Sequence, residues 1–333
     1  MKPVDRRWIA VVVIVAVASS AVVGFLAYRI PPHVEVETKY SAAHHSPITL
    51  TAEGDFTTPG AGSGCECVRS GSGTEADPFL ISDWIVNSTD TDGVVIFGTK
   101  VHFLIARVEL RSSDQNRGLY ISDAENGVIE DSQITGWWFG VFIFRSNNFK
   151  FTNNTITGNQ YGIQLEVSNN NELSGNKFEE NGQLGIFLRG SNNVLRDNSV
   201  IRNGWGGINV DGTAGPVNAN LIEGNVVSDN PVFGIGVWRA ANNVLRNNTV
   251  VRNQIVGIML TDHSTQNLIE ANIVSNNGGS GIILVDGSSE NTIRQNITRG
   301  NGDGVKDFDL YDMTSGNIWQ NNTYDTKKPD SIN

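Results

Sequence analysis

A glycine followed by alternating aliphatic residues returns about every 23 residues along most of the chain. It occurs at Gly93 (GVVI), Gly118 (GLYI), Gly140 (GVFI), Gly162 (GIQL), Gly185 (GIFL), Gly207 (GINV), Gly234 (GIGV), Gly257 (GIML) and Gly281 (GIIL), with Gly304 opening a variant last turn. Successive spacings are 25, 22, 22, 23, 22, 27, 23, 24 and 23 residues. The first and third residues after each glycine are aliphatic, the period of two that turns one face of a strand inward. A self-similar unit of this length, too short to bury a core alone, must stack on its neighbours.

Asparagine keeps the same period. Asn154, Asn176, Asn198, Asn225, Asn248, Asn272, Asn296 and Asn322 form one column, each followed two residues later by a mostly apolar residue such as Ile156, Phe178 or Val200. A second column, Asn159, Asn181, Asn203, Asn230, Asn253, Asn277 and Asn301, lies five residues further on. No helix explains a five-residue spacing of this kind. Stacked parallel coils do, because identical amides about 4.8 Å apart can donate one way and accept the other. Asn also tolerates the left-handed backbone of a sharp corner, so one residue is expected to serve both bend and ladder. The fold class expected is all-β: a single-stranded right-handed parallel β-helix of about ten coils, a rod about 48 Å long, preceded by one transmembrane α-helix.

The transmembrane element is Trp8–Tyr28, 21 residues without a charge, enough to cross a hydrocarbon core of about 30 Å. Lys2, Arg6 and Arg7 precede it and only Arg29 follows closely, which places residues 1–7 in the cytoplasm and the rest outside. The competing reading is a cleaved signal peptide with Ala16-Val17-Ala18 as the processing site. Arg6-Arg7 reads as a topology signal rather than a twin-arginine motif. Residues 29–46 read as a linker, 47–92 as the N-terminal cap of the solenoid, 93–303 as the repeats, and 304–333 as a closing coil and tail. Asp307, Asp309 and Asp312 are expected to discourage end-to-end stacking there.

Charge excludes one class of partner. With 24 Lys and Arg against 35 Asp and Glu, the net charge is −11 and no basic stripe exists, so nucleic acid is not expected. His44-His45 lacks further ligands and reads as linker, and no metal site or cofactor is assigned. Cys65 and Cys67, outside the cytoplasm, can close a small disulfide, remain free thiols, or hold a soft metal such as copper.

Segments such as GIFLRGSNNVLRDNSVIRN and GIGVWRAANNVLRNNTVVRN resemble the repeats of the right-handed parallel β-helix, pectate-lyase-like superfamily. They are similar in particular to NosD-type periplasmic proteins and to carbohydrate-binding and sugar-hydrolase β-helix domains. GSGTEADPFLISDW at 71–84 resembles the entry segment of such helices, and KDFDLYDMTSGNIWQNNTYDTKKP at 306–329 their closing coil. The resemblance covers about 71–329 and implies the fold; the superfamily holds lyases, hydrolases, epimerases and non-enzymatic scaffolds.

In a β-helix any site must come from outward positions. Tyr120, Phe142, Phe144, Phe187 and Trp238 make one outer face apolar and aromatic, and they are the candidate ligand-binding residues. Covering by the N-terminal segment or a neighbouring subunit is the alternative reading. Trp137, Trp138 and Trp205 either extend that surface or pack corners. Glu166, Arg189 and Asp211 form an acid–base–acid row whose carboxylates, about 10 Å apart on the strand spacing, suit an inverting glycosidase. Alternating charges on neighbouring strands also make an ordinary satisfied row. No Asp-Pro-His-Asp motif like that of alginate epimerases is present, His102 and His263 stand alone among the repeats, and the longest insertion, Asp211–Val217, is too short for a deep cleft wall. Sequons at Asn87, Asn153, Asn247 and Asn321 are possible glycosylation sites, whereas Asn296 falls in the inner ladder. The expected function is a membrane-anchored extracytoplasmic module that binds polysaccharide or a cell-surface protein. A carbohydrate-active lyase or hydrolase using Glu166, Arg189 and Asp211 is the alternative, and a NosD-like role in metal-centre assembly a lesser one.

Overall fold

The computed structural model describes residues 42–56 and 64–332. Among the described residues three sheets of twelve strands each form the three sides of a prism, and from Phe79–Ser82 onward the strands are parallel and every third one joins the same sheet. One coil shows the plan. Tyr161–Glu166 belongs to the sheet that carries the glycine motif (sheet 1), Glu172–Ser174 to sheet 2 and Lys177–Glu179 to sheet 3. Registers run straight down the rod, as in Phe151↔Leu173↔Leu195↔Ile222 of sheet 2 and Phe178↔Val200↔Val227↔Val250 of sheet 3. Those side chains are fully buried, so the aliphatic stripe read from the sequence is the core. The ten glycine-motif coils are present as sheet 1 strands from Val94–Phe97 to Leu310–Asp312, with Ile48–Leu50 and Lys327–Lys328 added at the ends.

The glycine column has a packing cause. A Cβ on Gly185 would lie 2.5 Å from Val200 Cγ1 and 2.8 Å from the Asn203 amide nitrogen, so the corner closes only around a residue with no side chain.

Three asparagine ladders, not two, run down the rod from Asn154, Asn159 and Asn171. The third, Asn171, Asn193, Asn220, Asn243, Asn267, Asn291 and Asn317, lines the corner between sheet 1 and sheet 2. At each rung Oδ1 accepts both the backbone N–H and the side-chain amide of the Asn one coil earlier, as Asn248 does from Asn225, both at 3.0 Å. The amide of Asn248 in turn donates to Ile222 O at 2.8 Å and Asn272 Oδ1 at 2.9 Å. The ladder residues do not make the bend. The residue before each one does: Glu180, Arg202, Asp229 and Arg252 precede the 181–253 ladder with φ of 55°, 54°, 59° and 55°, and Asn153, Asp197 and Asn247 do the same for the 154–248 ladder. A side chain turned into the core is fixed by its ladder bonds, so the left-handed strain falls on its exposed neighbour.

The ends differ from the sequence expectation in detail. Ala43–His45, read as linker, is a strand of sheet 3 paired with Trp84–Val86, and His45 meets the Trp84 ring edge-on at 4.8 Å. The open N-terminal end is plugged by Phe56, buried against Phe79 and Phe103 at 5.7 and 5.5 Å, while Val68–Ser70 runs antiparallel along Phe79–Ser82 at the edge of sheet 2. At the other end Gly304 does not open a turn: Leu310 pairs with Ile282, so Asp309 takes the glycine position. Asp309 is buried, terminates the Asn301 ladder through Oδ1 and accepts from Asp325 and Thr326 N–H groups through Oδ2. Asp312 likewise accepts from Trp319 Nε1. These two carboxylates bond inward at the end of the rod. Among the described residues no helix is long and apolar enough to cross a membrane; residues 1–7, the expected membrane segment 8–28 and most of the 29–46 linker lie outside them.

The ladder makes a sharp prediction about stability. Replacing Asn248 with Ala strands the Ile222 carbonyl and the Asn225 N–H in the core, at roughly 1–3 kcal/mol for each unsatisfied group. Asn247→Gly, at the bend, is expected to change stability by less than about 0.5 kcal/mol because glycine accepts positive φ freely. Denaturant unfolding of the two variants checks the contrast; equal losses would contradict it.

Candidate functional site

Sheet 1 differs from the other two in its strand length, six residues in most coils against three, and its outer surface carries the aromatic residues. Tyr120 and Phe142 stack at 5.9 Å, Phe139 and Tyr161 at 5.1 Å, and Phe139 and Phe142 lie 5.1 Å apart. Trp138 joins them, tilted against Tyr161 at 6.3 Å. All five rings are partly exposed. Burial pushes the Tyr161 hydroxyl above its ordinary pKa and keeps it a neutral phenol. Phe139 and Tyr161 were not anticipated, because strict alternation sends the residue before each glycine inward. The pairing passes from Phe139↔Tyr161 to Val141↔Ile163 across a bend at the glycine, and that bend turns the preceding residue outward.

The other sequence-predicted aromatics stand apart from this group. The Phe144 ring carries the Arg145 guanidinium at 4.7 Å, and the Phe187 ring that of Arg189 at 4.6 Å. Arg117 lies over Tyr120 at 3.6 Å. Trp238 is only 5 % exposed. It packs on Phe233 at 4.9 Å and Trp205 at 6.5 Å in a second apolar cluster with Met259 and Ile283. Its indole lies over Gly236, where a Cβ would come within 1.7 Å of Cζ3. Trp137 is an interior residue: buried at the head of the 159–301 ladder, its Nε1 donates to Leu110 O at 3.1 Å. The described part of 47–92 contributes no ring to either cluster.

Glu166, Arg189 and Asp211 do meet. Arg189 Nη2 is 2.9 Å from Asp211 Oδ2, and Nη1 is 3.6 Å from Glu166 Oε2, which also accepts from Gln164 Nε2 at 3.0 Å. Asp211 Oδ1 accepts the Thr213 N–H at 2.7 Å, and the residue is 6 % exposed. An inverting pair needs a water between its carboxylates. Here a guanidinium occupies that space and both Asp211 oxygens are engaged, which is the arrangement of a satisfied structural row.

Cys65 and Cys67 are joined as a disulfide. Among the described residues no group of three or more His, Cys, Asp or Glu could hold a metal ion. Asn87, Asn153, Asn247 and Asn321 are exposed, while Asn296 is buried in its ladder.

A prism of three stacked sheets, one of them long-stranded and aromatic on its outer side, defines a β-helix protein. Residues 68–220 and 215–324 match the family described as the right handed beta helix region, and the chain belongs to that family. No curated protein sequence matches the chain. Among solved structures it is similar to the A-module of a mannuronan C-5 epimerase of Azotobacter vinelandii, at 16 % identity and a TM-score of 0.57 over 86 % of each chain. It is also similar to the periplasmic alginate epimerase AlgG, at 14 % identity and a TM-score of 0.55 over 73 % of this chain and 76 % of that one. The surface adhesin PfbA of Streptococcus pneumoniae gives 10 % identity and a TM-score of 0.50 over 74 % and 80 %. At these identities the likeness is one of fold.

Several carboxylates on the rod are tied to arginines of an adjacent coil. Hydrogen bonds from Arg107, Arg145, Arg246 and Arg252 hold Asp83, Asp123, Glu223 and Asp229 respectively below their ordinary pKa. A depressed folded-state pKa gives stability that is fully present above the unfolded value of about 4 and is lost as pH falls through the folded one. The melting temperature is therefore expected to be flat from about pH 7 to 5 and to fall below about pH 4. Asp229→Asn should remove part of that fall; a melting temperature unchanged down to the most acidic buffers would contradict the account.

Proposed function

We propose that this chain is a glycan-binding rod held outside the cytoplasm by its N-terminal apolar segment, with sheet 1 as the binding face and no catalytic role. The observation that carries the reading is the group of partly exposed rings Tyr120, Phe139, Phe142, Tyr161 and Trp138 on the outer face of the one side whose strands are long. Rings aligned coil on coil give an apolar strip along the rod axis, matched to an extended polymer rather than to a small molecule. The uncharged stretch Trp8–Tyr28, preceded by Lys2, Arg6 and Arg7, supports the external location and the anchor. The names of the structural neighbours, epimerases of mannuronan and alginate and a surface adhesin, are in keeping with a rod that meets polysaccharide or a cell surface.

The lyase or hydrolase alternative fares less well. Arg189 bridges the two carboxylates on which it relied, leaving neither placed to activate a water. Metal-centre assembly loses its soft ligands to the Cys65–Cys67 disulfide.

Incubation of the full chain with a panel of acidic and neutral polysaccharides, scored both for retention and for shortened or unsaturated products, tests the proposal. Retention without product is expected, and a Phe142→Ala/Tyr161→Ala variant should bind about tenfold or more weakly, two aromatic contacts being worth that much. Product that disappears in a Glu166→Gln/Asp211→Asn variant would overturn it.

A further inference from the structure

The corner between sheet 3 and sheet 1 carries a line of four residues that the reading of single motifs does not reveal. Trp138, Gln160, Gln183 and Trp205 occupy the same position on four successive coils, two residues ahead of the glycine, as the registers Phe139↔Tyr161 and Leu184↔Gly206 fix. Backbone bonds tie the line from coil to coil: Gln160 N–H to Trp137 O and Tyr161 N–H to Trp138 O, both at 2.8 Å, then Gln183 N–H to Gln160 O at 2.7 Å and Trp205 N–H to Gln183 O at 2.9 Å. At one strand spacing per coil, the tryptophans stand about 14 Å apart. Each is braced from the sheet side, Trp138 by Tyr161 at 6.3 Å and Trp205 edge-on by Phe233 at 5.2 Å, and each is partly exposed. The side-chain amides of Gln160 and Gln183, also partly exposed, have no hydrogen-bond partner among the described residues.

We infer that this line is a subsite for a neutral glycan chain lying along the rod axis; the inference rests on the glycan-binding reading and gives it a substrate class. An indole face takes the C–H face of a pyranose ring. An amide offers two donors and an acceptor, and so matches a hydroxyl whichever way it points. Two indoles with two free amides between them therefore suit a short run of uncharged sugars. The charges on sheet 1 and at its two corners argue against a polyuronate. Arg117 is held by Asp92 at 2.6 Å, Arg145 by Asp123 at 2.8 Å, Arg202 by Glu180 at 2.8 Å, and Arg189 by Asp211 and Glu166. A polyanion would have to displace a carboxylate to reach each of these guanidinium groups. It would do so against a net charge of −11.

Affinity electrophoresis of the full chain in native gels cast with hydroxyethylcellulose, galactomannan, alginate or polygalacturonate provides the test. Retardation by a neutral polymer is expected, unchanged between low and high salt, and weakened about tenfold or more in Trp138→Ala and in Trp205→Ala. Gln160→Ala/Gln183→Ala, a surface change that leaves every described bond intact, is expected to weaken it severalfold and guards against a folding defect in the tryptophan variants. Retardation confined to the polyuronates, salt-sensitive and indifferent to these substitutions, would overturn the inference while sparing the glycan-binding reading. Retardation by none of the four would overturn both.

Discussion

Everything in this molecule depends on the side-chain amide that turns inward at each corner. A chain that bends three times per coil brings backbone N–H and C=O groups to the inside of the prism, where each left unpaired would cost roughly 1–3 kcal/mol. The ladder residue answers for several at once, taking the N–H of the Asn one coil before and donating to a carbonyl of that same coil, as Asn248 does between Asn225, Ile222 and Asn272. The strain of turning is displaced to the exposed residue just upstream. Bend and bond are thus divided between neighbours, and the bend position varies freely among Asn, Asp, Glu, Arg, Gln, Ala and Gly.

This division explains where variation is allowed. Asn171, Asn176 and Asn181 are five residues apart, and the same spacing holds at 193, 198 and 203, at 220, 225 and 230, and onward to 291, 296 and 301. Sheets 2 and 3 are locked between these corners with three-residue strands. All the extra length lies between the third ladder residue and the next first one, and it includes the loop Asp211–Val217. Sheet 1 and its flanking turns are therefore the part of each coil free to acquire a surface. The aromatic strip, the charged row and the tryptophan–glutamine line all sit there.

The sequence made the coil, its core and two of its three ladders legible, because glycine and asparagine are demanded by close packing and by an uncommon hydrogen-bond pattern. The third ladder carried the same five-residue signal, visible in Asn192-Asn193 and Asn242-Asn243, but doubled asparagines hide which of the two turns inward. The site was legible only in part. Phe142 and Tyr120 were found from period-two alternation, whereas Phe139 and Tyr161 were not, since the bend at the glycine breaks the alternation there. Trp238 followed the pattern outward but is buried, its indole laid over Gly236, a sideways contact that no column count along one strand reveals. Glu166, Arg189 and Asp211 were placed correctly, yet only the distances show one guanidinium bridging both acids.

The central claim is that polysaccharide lies on sheet 1 and its leading corner. Hydroxyl-radical footprinting of the full chain, with and without a retained polysaccharide, reads the access of each aromatic side chain directly. The account predicts that Trp138, Tyr161 and Trp205 lose reactivity together while Tyr324, at the end of sheet 3, does not. Protection at Tyr324 with Trp138, Tyr161 and Trp205 unchanged would place the ligand elsewhere on the rod and contradict it.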